Sequence, residues 1–168
     1  MSNDRLMSNR ITIRLAAANE MPLVLELVRE LAVYEHLEHE VTATAEDFTA
    51  ALFGPQACAE VVLAGLDGTP VGYALFFRTF SSFVGKPGIF LEDLFVRPHA
   101  RGLGIGKRLL AWLARSALER GCARLEWAVL DWNEPSIGFY RSLGAVAQDE
   151  WTTYRLTDEA LEQLARKG

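Results

Sequence analysis

The chain has 168 residues, half of which are apolar, and its formal net charge at pH 7 is −5. This length is typical of one domain with a full hydrophobic core, and the apolar content excludes a disordered chain. The acidic balance argues against a general nucleic-acid-binding protein, because such proteins need a basic surface.

Signals for redox chemistry, targeting and membrane insertion are few. Cys58 and Cys122 are too few for a disulfide framework and lack zinc-ligand spacing. We therefore expect reduced core thiols in a cytoplasmic protein, and no metal. Residues 1–10 are polar and predict a flexible tail, with residues 11–168 forming a single domain. No apolar run is long enough to span a membrane.

The first third of the chain predicts a strand followed by two helices. Ile11–Leu15 alternates apolar and polar residues, as expected for a strand. Asn19 can cap a first helix, whose apolar residues recur at helical spacing as far as Tyr34. Thr44 can cap a second, short helix over Ala45–Phe53.

A hairpin and a further strand are predicted next. Strands over Ala59–Leu66 and Val71–Phe80 flank Asp67-Gly68, a dipeptide that strongly favours a hairpin turn. Ser81–Gly88 is predicted to be a loop, and Ile89–Val96 to be the following strand.

The second half predicts strands that alternate with helices. A long helix ends near Gly121, which can occupy its left-handed C-terminal position. The apolar stripe of this helix comprises Ile105, Leu109, Leu110, Leu113, Ala114, Ala117 and Leu118. A strand over Ala123–Leu130 leads into a helix over Glu134–Leu143. A last strand over Trp151–Leu156 and a terminal helix over Asp158–Lys167 follow.

The order of these elements predicts the fold class. Antiparallel hairpins come first, and strand–helix–strand units come later. This order favours an α/β (α+β) fold, with a central, mostly antiparallel mixed sheet and helices on both faces. Ligand crevices in such sheets open where strands lead into helices.

A glycine-rich turn begins the long helix. Gly102, Gly104 and Gly106 occupy every second position, so their backbone N–H groups carry little side-chain cover. The helix N-terminus adds unpaired donors and a partial positive charge, which together predict an anion site, most often for phosphate. The spacing fits neither the dinucleotide fingerprint nor a Walker P-loop, because Lys107 replaces a required glycine and Arg108 replaces a required Ser or Thr.

Acidic residues cluster in two places. Glu92 and Asp93 should point to opposite faces of their strand, and their apolar neighbours predict that both faces are covered. Because burying an ionised carboxylate is costly unless it is paired or used, we expect one of the two to be functional, while the other could be structural. The acidic segment 34–40 is either a solvated face or a rim that attracts an amine.

Three motifs together resemble the diamine acetyltransferase branch of the GNAT family. They are Leu91–Val96, Arg101–Gly106, and a block over residues 132–145 with Trp-Asn-Glu-Pro-Ser, Phe-Tyr and Gly-Ala elements. Tyr34-Glu35 also matches. The last block is more specific than the glycine turn, which a plain tight turn would also explain. The branch contains spermidine/spermine acetyltransferases and relatives that acetylate lysine-like amino acids, and its members are homodimers with active sites near the subunit interface.

The resemblance implies a GNAT-like fold and direct acetyl transfer from acetyl-CoA to a primary amine within a ternary complex. Glu92 would take a proton from the amine, directly or through water, and Tyr140 would protonate the departing thiolate. Main-chain groups at an irregularity around Leu94, Phe95 and Val96 would polarise the acetyl carbonyl and lie beside the pantetheine arm. Further coenzyme contacts would be Arg101, Gly102, Leu103, Gly104, Ile105, Gly106, Lys107, Asn133, Ser136 and Tyr140. Substrate contacts would be Tyr34, Glu35, Glu92, Asp93, Glu126, Trp127 and Ala128.

Alternatives remain for individual residues and for the function. Asn133 could be only a helix cap, and Tyr140 only a core aromatic. Hydroxyls over Thr79–Phe83, where polyamine-specific relatives tend to carry an acid, favour a small amine or an ω-amino acid such as thialysine over a polyamine. An acetyltransferase acting on protein or peptide amines, a non-catalytic acyl-CoA-binding module and an enzyme that uses ATP or NAD are the competing hypotheses.

Overall fold

The computed structural model describes residues 10–167. Its elements in chain order are β1 (Ile11–Leu15), α1 (Met21–Glu35), α2 (Ala45–Phe53), β2 (Glu60–Leu66), β3 (Thr69–Ser81), β4 (Lys86–Val96), α3 (Ile105–Glu119), β5 (Leu125–Trp127), α4 (Glu134–Ser142) and α5 (Asp158–Ala165). A first compact unit ends at Ala128, and a second begins at Val129. The predicted tail lies outside the described residues except for Arg10, whose Nε donates to Asp67 Oδ1 at 2.8 Å.

The first unit is built on a five-stranded sheet in the order β1-β2-β3-β4-β5. Strands β1 to β4 pair antiparallel, and β5 joins β4 in parallel. Helix α3 connects β4 to β5, since parallel neighbours need a crossover. The predicted mixed, mostly antiparallel sheet is confirmed.

Helices cover both faces of this sheet, as predicted. Apolar side chains of α1 pack with Tyr73 of β3 and Phe95 of β4 in one core cluster. On α3, Trp112 meets Phe76 of β3 edge to face, with ring centroids 6.0 Å apart. Tyr73 and Phe76 are three residues apart on one strand, so they point to opposite faces and place α1 and α3 on the two sides of the sheet.

One extra residue in β4 determines which side chains face which helix. Leu75 pairs with Asp93, but the next residue, Phe76, pairs with Leu91, so Glu92 is the extra residue of a β-bulge. Leu91 therefore lies on the α3 face with Phe76, and Asp93 lies on the α1 face with Leu75. In a regular strand, two residues that are two positions apart would share one face.

Arg97, which directly follows β4, links helix α1 to the sheet through ion pairs and hydrogen bonds. The Arg97 Nε donates to both carboxylate oxygens of Glu30 at 3.0 Å, and Nη2 donates to Glu26 Oε1 at 2.5 Å. Its Nη1 donates to the Pro70 carbonyl, at the start of β3, at 3.2 Å. A planar guanidinium suits such multiple contacts, so α1 and the end of β4 are held in one arrangement.

The predicted starts of the first two helices have different outcomes. The Thr44 hydroxyl accepts a hydrogen bond from the Asp47 N–H at 3.2 Å, which confirms the cap of α2. The role predicted for Asn19 is wrong, because Asn19 lies within a 3₁₀ helix over Ala18–Glu20, and α1 follows directly with Glu20 as its N-cap residue.

The hairpin turn is confirmed, since Asp67 and Gly68 both have positive φ, at 50° and 81°. The predicted loop before β4 is too long. Ser81 belongs to β3 and residues 86–88 belong to β4, so the connection covers only residues 82–85. The Thr79 hydroxyl is buried and has no hydrogen-bond partner within residues 10–167, so it is not presented to a substrate.

Helix α3 and its predicted stripe agree only in part. Leu109 and Leu113 are fully buried, but Leu118 is 77% exposed and Ala114 is also exposed. The polar Ser116 is buried, whereas Ala114 and Leu118 are not. The side of α3 that faces the sheet is therefore narrower than the apolar pattern suggests. The helix ends before Gly121, whose φ of 68° confirms the predicted left-handed position.

Two predicted strands differ from the structure. The strand predicted over 123–130 is shortened to β5, and no strand forms over 151–156, so that prediction is wrong. Trp151 and Tyr154 are highly exposed there. Strand propensity needs a neighbouring strand edge to become a strand, and none pairs with this segment within residues 10–167. The second unit therefore contains α4, α5 and irregular segments.

The two cysteines are both free, but only Cys122 is buried, so the expected core position is wrong for Cys58. None of the helices within residues 10–167 combines the length and the apolar character needed to cross a membrane.

Candidate active site

The glycine turn presents an open backbone surface at the start of α3. Gly102 and Gly104 have φ values of 76° and 79°, in the left-handed region that glycine occupies without strain. A Cβ built on either residue would meet no atom within 4 Å. The space in front of both glycines is therefore open to a ligand.

The six consecutive N–H groups of residues 102–107 indicate an anion-binding site. They take no part in the backbone hydrogen bonds described for residues 10–167, and the ladder of α3 starts with the Arg108 N–H, which donates to the Gly104 carbonyl at 3.1 Å. Uncommitted donors at a helix N-terminus, together with the helix dipole, stabilise bound phosphate groups.

Arg101 connects this turn with α1 and β4. Its Nε donates to the Val96 carbonyl at 2.8 Å. Its guanidinium carbon lies 4.9 Å from the centre of the Tyr34 ring and 5.7 Å from that of Phe95. These cation–π distances bring a residue of the predicted coenzyme turn against Tyr34, a predicted substrate contact.

Asp93 lies on the α1 face in surroundings that disfavour its charge. Its Oδ2 accepts a hydrogen bond from the Tyr73 hydroxyl at 3.1 Å. Burial raises the pKa of Asp93 to about 6; the Tyr73 hydrogen bond acts in the opposite direction, and the charges of Glu92 and Glu35 add to the rise. A carboxyl group that titrates near neutral pH is typical of active sites.

Glu35 and Glu92 border Asp93 from two different elements. Glu35 is the last residue of α1, and burial raises the pKa of its carboxyl group. Glu92 is exposed at the bulge, so the expectation that it is covered is wrong. The opposite orientation predicted for Glu92 and Asp93 assumed strict alternation, which the bulge interrupts. The structure thus brings the predicted carboxylates of α1 and β4 together.

The stretch after the bulge is regular. Leu94, Phe95 and Val96 pair in register with Ala74, Tyr73 and Gly72 of β3. The irregularity in β4 lies at Glu92, two residues before the position expected for it. Within the five-stranded sheet, β5 accompanies β4 only as far as Leu91, so this stretch of β4 forms ladder pairs with β3 alone.

The predicted substrate contacts Glu126, Trp127 and Ala128 lie on β5 or just beyond it, and β5 pairs with β4 before the bulge. The Glu126 carboxylate pairs with Arg124, with Nε and Oε2 2.7 Å apart, so its charge is balanced locally. Trp127 pairs with Leu91, and Ala128 is exposed beyond the end of β5.

In the second unit, Asn133 and Tyr140 lie on one helix. Asn133 is buried, and its Oδ1 accepts from the Ser136 N–H at 3.4 Å, which confirms it as the N-cap of α4. Tyr140 follows two turns later and is partly buried, with its ring centroid 5.4 Å from that of Phe139.

In the part of the chain that the structure describes, neither the main cavity nor the distribution of metal-ligating side chains adds a further site. A cavity of about 510 Å³ lies at the start of α1, between Pro22 and Phe53, and contains none of the predicted site residues. Glu35 is at the other end of this helix, roughly 20 Å away. Among residues 10–167, no three His, Cys, Asp or Glu side chains are grouped so that they could hold a metal ion.

Comparison with known proteins identifies the family. Residues 22–145 match the family model described as the Acetyltransferase (GNAT) family. The chain belongs to this family. It is 36% identical to thialysine N-epsilon-acetyltransferase of Bos taurus, over 94% of this chain and 98% of the relative. It is 29% identical to L-ornithine N5-acetyltransferase of Arabidopsis thaliana, over 90% and 86%. Among solved structures, an integron cassette protein from the mobile metagenome of V. cholerae has a TM-score of 0.79 at 26% identity, covering 94% of this chain and 98% of that one.

As a GNAT protein, the chain is an acetyl-CoA-dependent N-acetyltransferase. The glycine turn is chemically suited to the diphosphate of this co-substrate, because its surface is open and its six uncommitted N–H donors favour an anion. The predicted fold and enzyme class are confirmed, whereas the individual site residues stay predictions.

The sequence patterns do not single out two residues that contact the elements carrying the predicted carboxylates, Tyr73 and Arg97. The strand pattern gives Tyr73 no role beyond β3, and no motif gives a role to Arg97. A tyrosine within the apolar run Val71–Phe77 could have been noticed, because a buried hydroxyl needs a hydrogen-bond partner.

Gly104→Glu is expected to abolish the thermal stabilisation of the protein by acetyl-CoA. The parent should melt at a higher temperature with acetyl-CoA, because a ligand that binds only the folded state stabilises it. In the variant, a side chain and a negative charge enter the open space of the turn. The measurement is the melting temperature with and without acetyl-CoA.

Gly121→Glu is the matched control for this experiment. Gly121 lies just beyond the other end of α3, has a φ of 68° and also meets nothing within 4 Å of a built Cβ. Both replacements carry the same left-handed backbone strain, of about 1–2 kcal/mol. In the control, acetyl-CoA should raise the melting temperature as it does in the parent. If acetyl-CoA also raised the melting temperature of Gly104→Glu by the full amount, the glycine turn would not be part of the coenzyme site.

Proposed function

We propose that the protein transfers the acetyl group of acetyl-CoA to a primary amine of a small molecule, with thialysine and other lysine-like amino acids or diamines as the substrate class. The observation that carries this proposal is the similarity over nearly the whole chain to relatives named for thialysine and ornithine acetylation. Both relatives are named as N-acetyltransferases.

The carboxylates at the end of α1 and at the bulge of β4 support an amine substrate. Amines of this class are cationic at neutral pH, since an alkylammonium has a pKa near 10. Glu35 and Glu92 act electrostatically on Asp93, so the three supply negative charge in one region. Tyr34 precedes Glu35 in the chain, and its aromatic ring can also contact a cation. We assign substrate binding to these four residues, and to Glu126, Trp127 and Ala128 as further contacts.

The proposed coenzyme site combines the turn and the end of β4. The N–H groups of residues 102–107 receive the diphosphate, with Arg101 beside them. The pantetheine arm lies along Leu94, Phe95 and Val96, as an added strand would. Asn133 and Ser136 supply contacts at the start of α4, and the acetyl carbonyl accepts hydrogen bonds from main-chain N–H groups of β4.

In the proposed reaction, Glu92 accepts a proton from the substrate ammonium, directly or through water. The neutral nitrogen attacks the thioester carbon, the C–N bond forms and the C–S bond breaks. The nitrogen then loses its second proton to solvent, and the Tyr140 hydroxyl protonates the thiolate. The exposure of Glu92 supports this role, because its proton can pass to water.

The same proposal treats residues 11–168 as one catalytic domain of a cytoplasmic homodimer. Large apolar side chains are exposed on the single chain, and such side chains are typical of contact surfaces when they cluster. They include Phe83 in the β3–β4 turn, and Trp151 and Tyr154 in the second unit.

The function is tested by measuring thiol release from acetyl-CoA with a panel of acceptors. The panel contains thialysine, lysine, ornithine, a short diamine, spermidine and a lysine-containing peptide. Turnover should be fastest with the amino acids or the diamine. Faster turnover with the peptide would favour a protein acetyltransferase, and acetyl-CoA binding without turnover on any acceptor would favour a binding module.

Glu92→Gln is expected to lower turnover at neutral pH by about 10²–10⁴-fold, the usual loss for a general base, while acetyl-CoA affinity is unchanged. The glutamine keeps the shape but cannot take a proton. Glu46→Gln is the control, since Glu46 is an exposed glutamate on α2 and loses the same charge. If Glu92→Gln turned over as fast as the control, Glu92 would have no role as a base.

Tyr140→Phe is expected to keep the melting temperature and the acetyl-CoA affinity, and to slow acetyl transfer by about 10²–10⁴-fold. Only a hydroxyl group is removed, but the thiolate must then leave without a proton from the protein. Single-turnover kinetics measure this step. Tyr154→Phe provides the comparison at an exposed position, 92% accessible. A Tyr140→Phe rate within about twofold of this control, far from the loss of a general acid, would make Tyr140 a packing residue.

A further inference from the structure

We propose that Tyr73 is a positioning residue for amine binding: its buried hydroxyl holds one oxygen of Asp93, so that the carboxylate meets the substrate ammonium as an anion in a fixed orientation. This inference rests on the proposed amine acetyltransferase function and extends it to a residue that does not contact the substrate.

Tyr73 and Asp93 lie next to each other on the α1 face of the sheet. Tyr73 is completely buried in the core beneath α1. Its cross-strand neighbour is Phe95, and Asp93 is paired with Leu75, so Tyr73 and Asp93 are diagonal neighbours on one face of β3 and β4. The bulge at Glu92 produces this placement, because it brings Asp93 to the α1 face. The Tyr73 hydroxyl can therefore reach the carboxylate at 3.1 Å.

The buried Tyr73 hydroxyl depends on Asp93 for its hydrogen bond. A hydroxyl group that is taken out of water needs a hydrogen-bond partner. A carboxylate is a strong hydrogen-bond acceptor, and Asp93 Oδ2 is the acceptor that the structure gives this hydroxyl. The phenol ring cannot move within the packed core, so the oxygen that accepts from it cannot move freely either. The orientation of Asp93 is thus set by a rigid ring.

The charge of Asp93 depends on the groups around it. Glu35 approaches from α1 and Glu92 from β4, and both disfavour its ionisation, as does burial. Of the groups described as acting on Asp93, only the Tyr73 hydroxyl favours the charged form. Arg101, the cation of the glycine turn, donates to the Val96 carbonyl and lies against the Tyr34 and Phe95 rings. Without Tyr73, Asp93 would lose its charge at a higher pH.

These facts define what Tyr73 does for the reaction. Oδ2 of Asp93 is engaged by the hydroxyl, and we assign Oδ1 to the ammonium group of the substrate. The bound cation then lies beside Glu92, which takes its proton. Tyr73 acts through Asp93 on substrate affinity, and it donates no proton to the reaction.

The test follows the pH dependence of kcat/KM for the best amine and, separately, the titration of the Asp93 carboxyl carbon by NMR in the absence of both substrates. In the parent, activity should fall as the pH decreases through about 6, because Asp93 gains a proton. Tyr73→Phe removes a hydrogen bond that favours the Asp93 anion, so the pKa of Asp93 should rise. Both the acidic limb and the NMR midpoint should move up by about half to one pH unit.

Glu35→Gln should shift the pKa of Asp93 in the opposite direction. It removes a negative charge that raises the pKa of Asp93, so the limb and the midpoint should move to lower pH. Tyr73→Phe should also raise KM for the amine about three- to tenfold with a smaller change in kcat, as expected for one lost hydrogen bond that acts on binding. Glu46→Gln, remote from Asp93, should leave both curves unchanged.

If Tyr73→Phe fails to fold, 3-fluorotyrosine at position 73 replaces it. This residue has nearly the same volume and a more acidic hydroxyl, so it donates a stronger bond and should move both curves to lower pH. Unshifted curves in a folded Tyr73→Phe or in the fluorotyrosine protein would overturn the proposal. A parent that acetylates no amine but shows the NMR shifts would refute the function while the Tyr73–Asp93 coupling stands.

Discussion

The arrangement of the site depends on one inserted residue. Glu92 interrupts the pairing of β3 with β4, and the faces of the strand exchange at that point. Leu91 then belongs to the α3 side and Asp93 to the α1 side. In a regular strand, Asp93 would share the face of Leu91, beneath α3 and away from Tyr73 and Glu35. The bulge thus creates the acidic group, and it also exposes the extra residue itself to solvent.

Much of the fold could be predicted from the sequence because local patterns determine it. Alternation identified β1, the Asp67-Gly68 turn identified the β2–β3 hairpin, and a left-handed glycine marked the end of α3. The strand predicted over 151–156 failed for a different reason. Its aromatic and β-branched residues do favour a strand, but a strand also requires an available partner edge, and that information lies outside the segment. The strand predicted over 123–130 is also shorter in the structure, because only its residues 125–127 pair with β4.

The candidate site was predictable to a lesser degree. The glycine spacing predicted an anion-binding turn, and the structure adds open space and uncommitted donors there. The carboxylate pair was found, but the strand rule assigned the wrong environment to Glu92, because register is a property of two strands and not of one. Tyr73 was missed since its role depends on Asp93, a residue 20 positions further along the chain.

The Arg97 contacts have a consequence for how a substrate is received. Arg97 follows the strand that carries Asp93, and its partner Glu30 lies on the helix that ends at Glu35. One guanidinium therefore fixes the two acidic elements relative to each other while the chain folds. The entropy of arranging these charges is lost during folding and not during association. An amine thus meets a preorganised surface, and less of its binding free energy is used for ordering the protein.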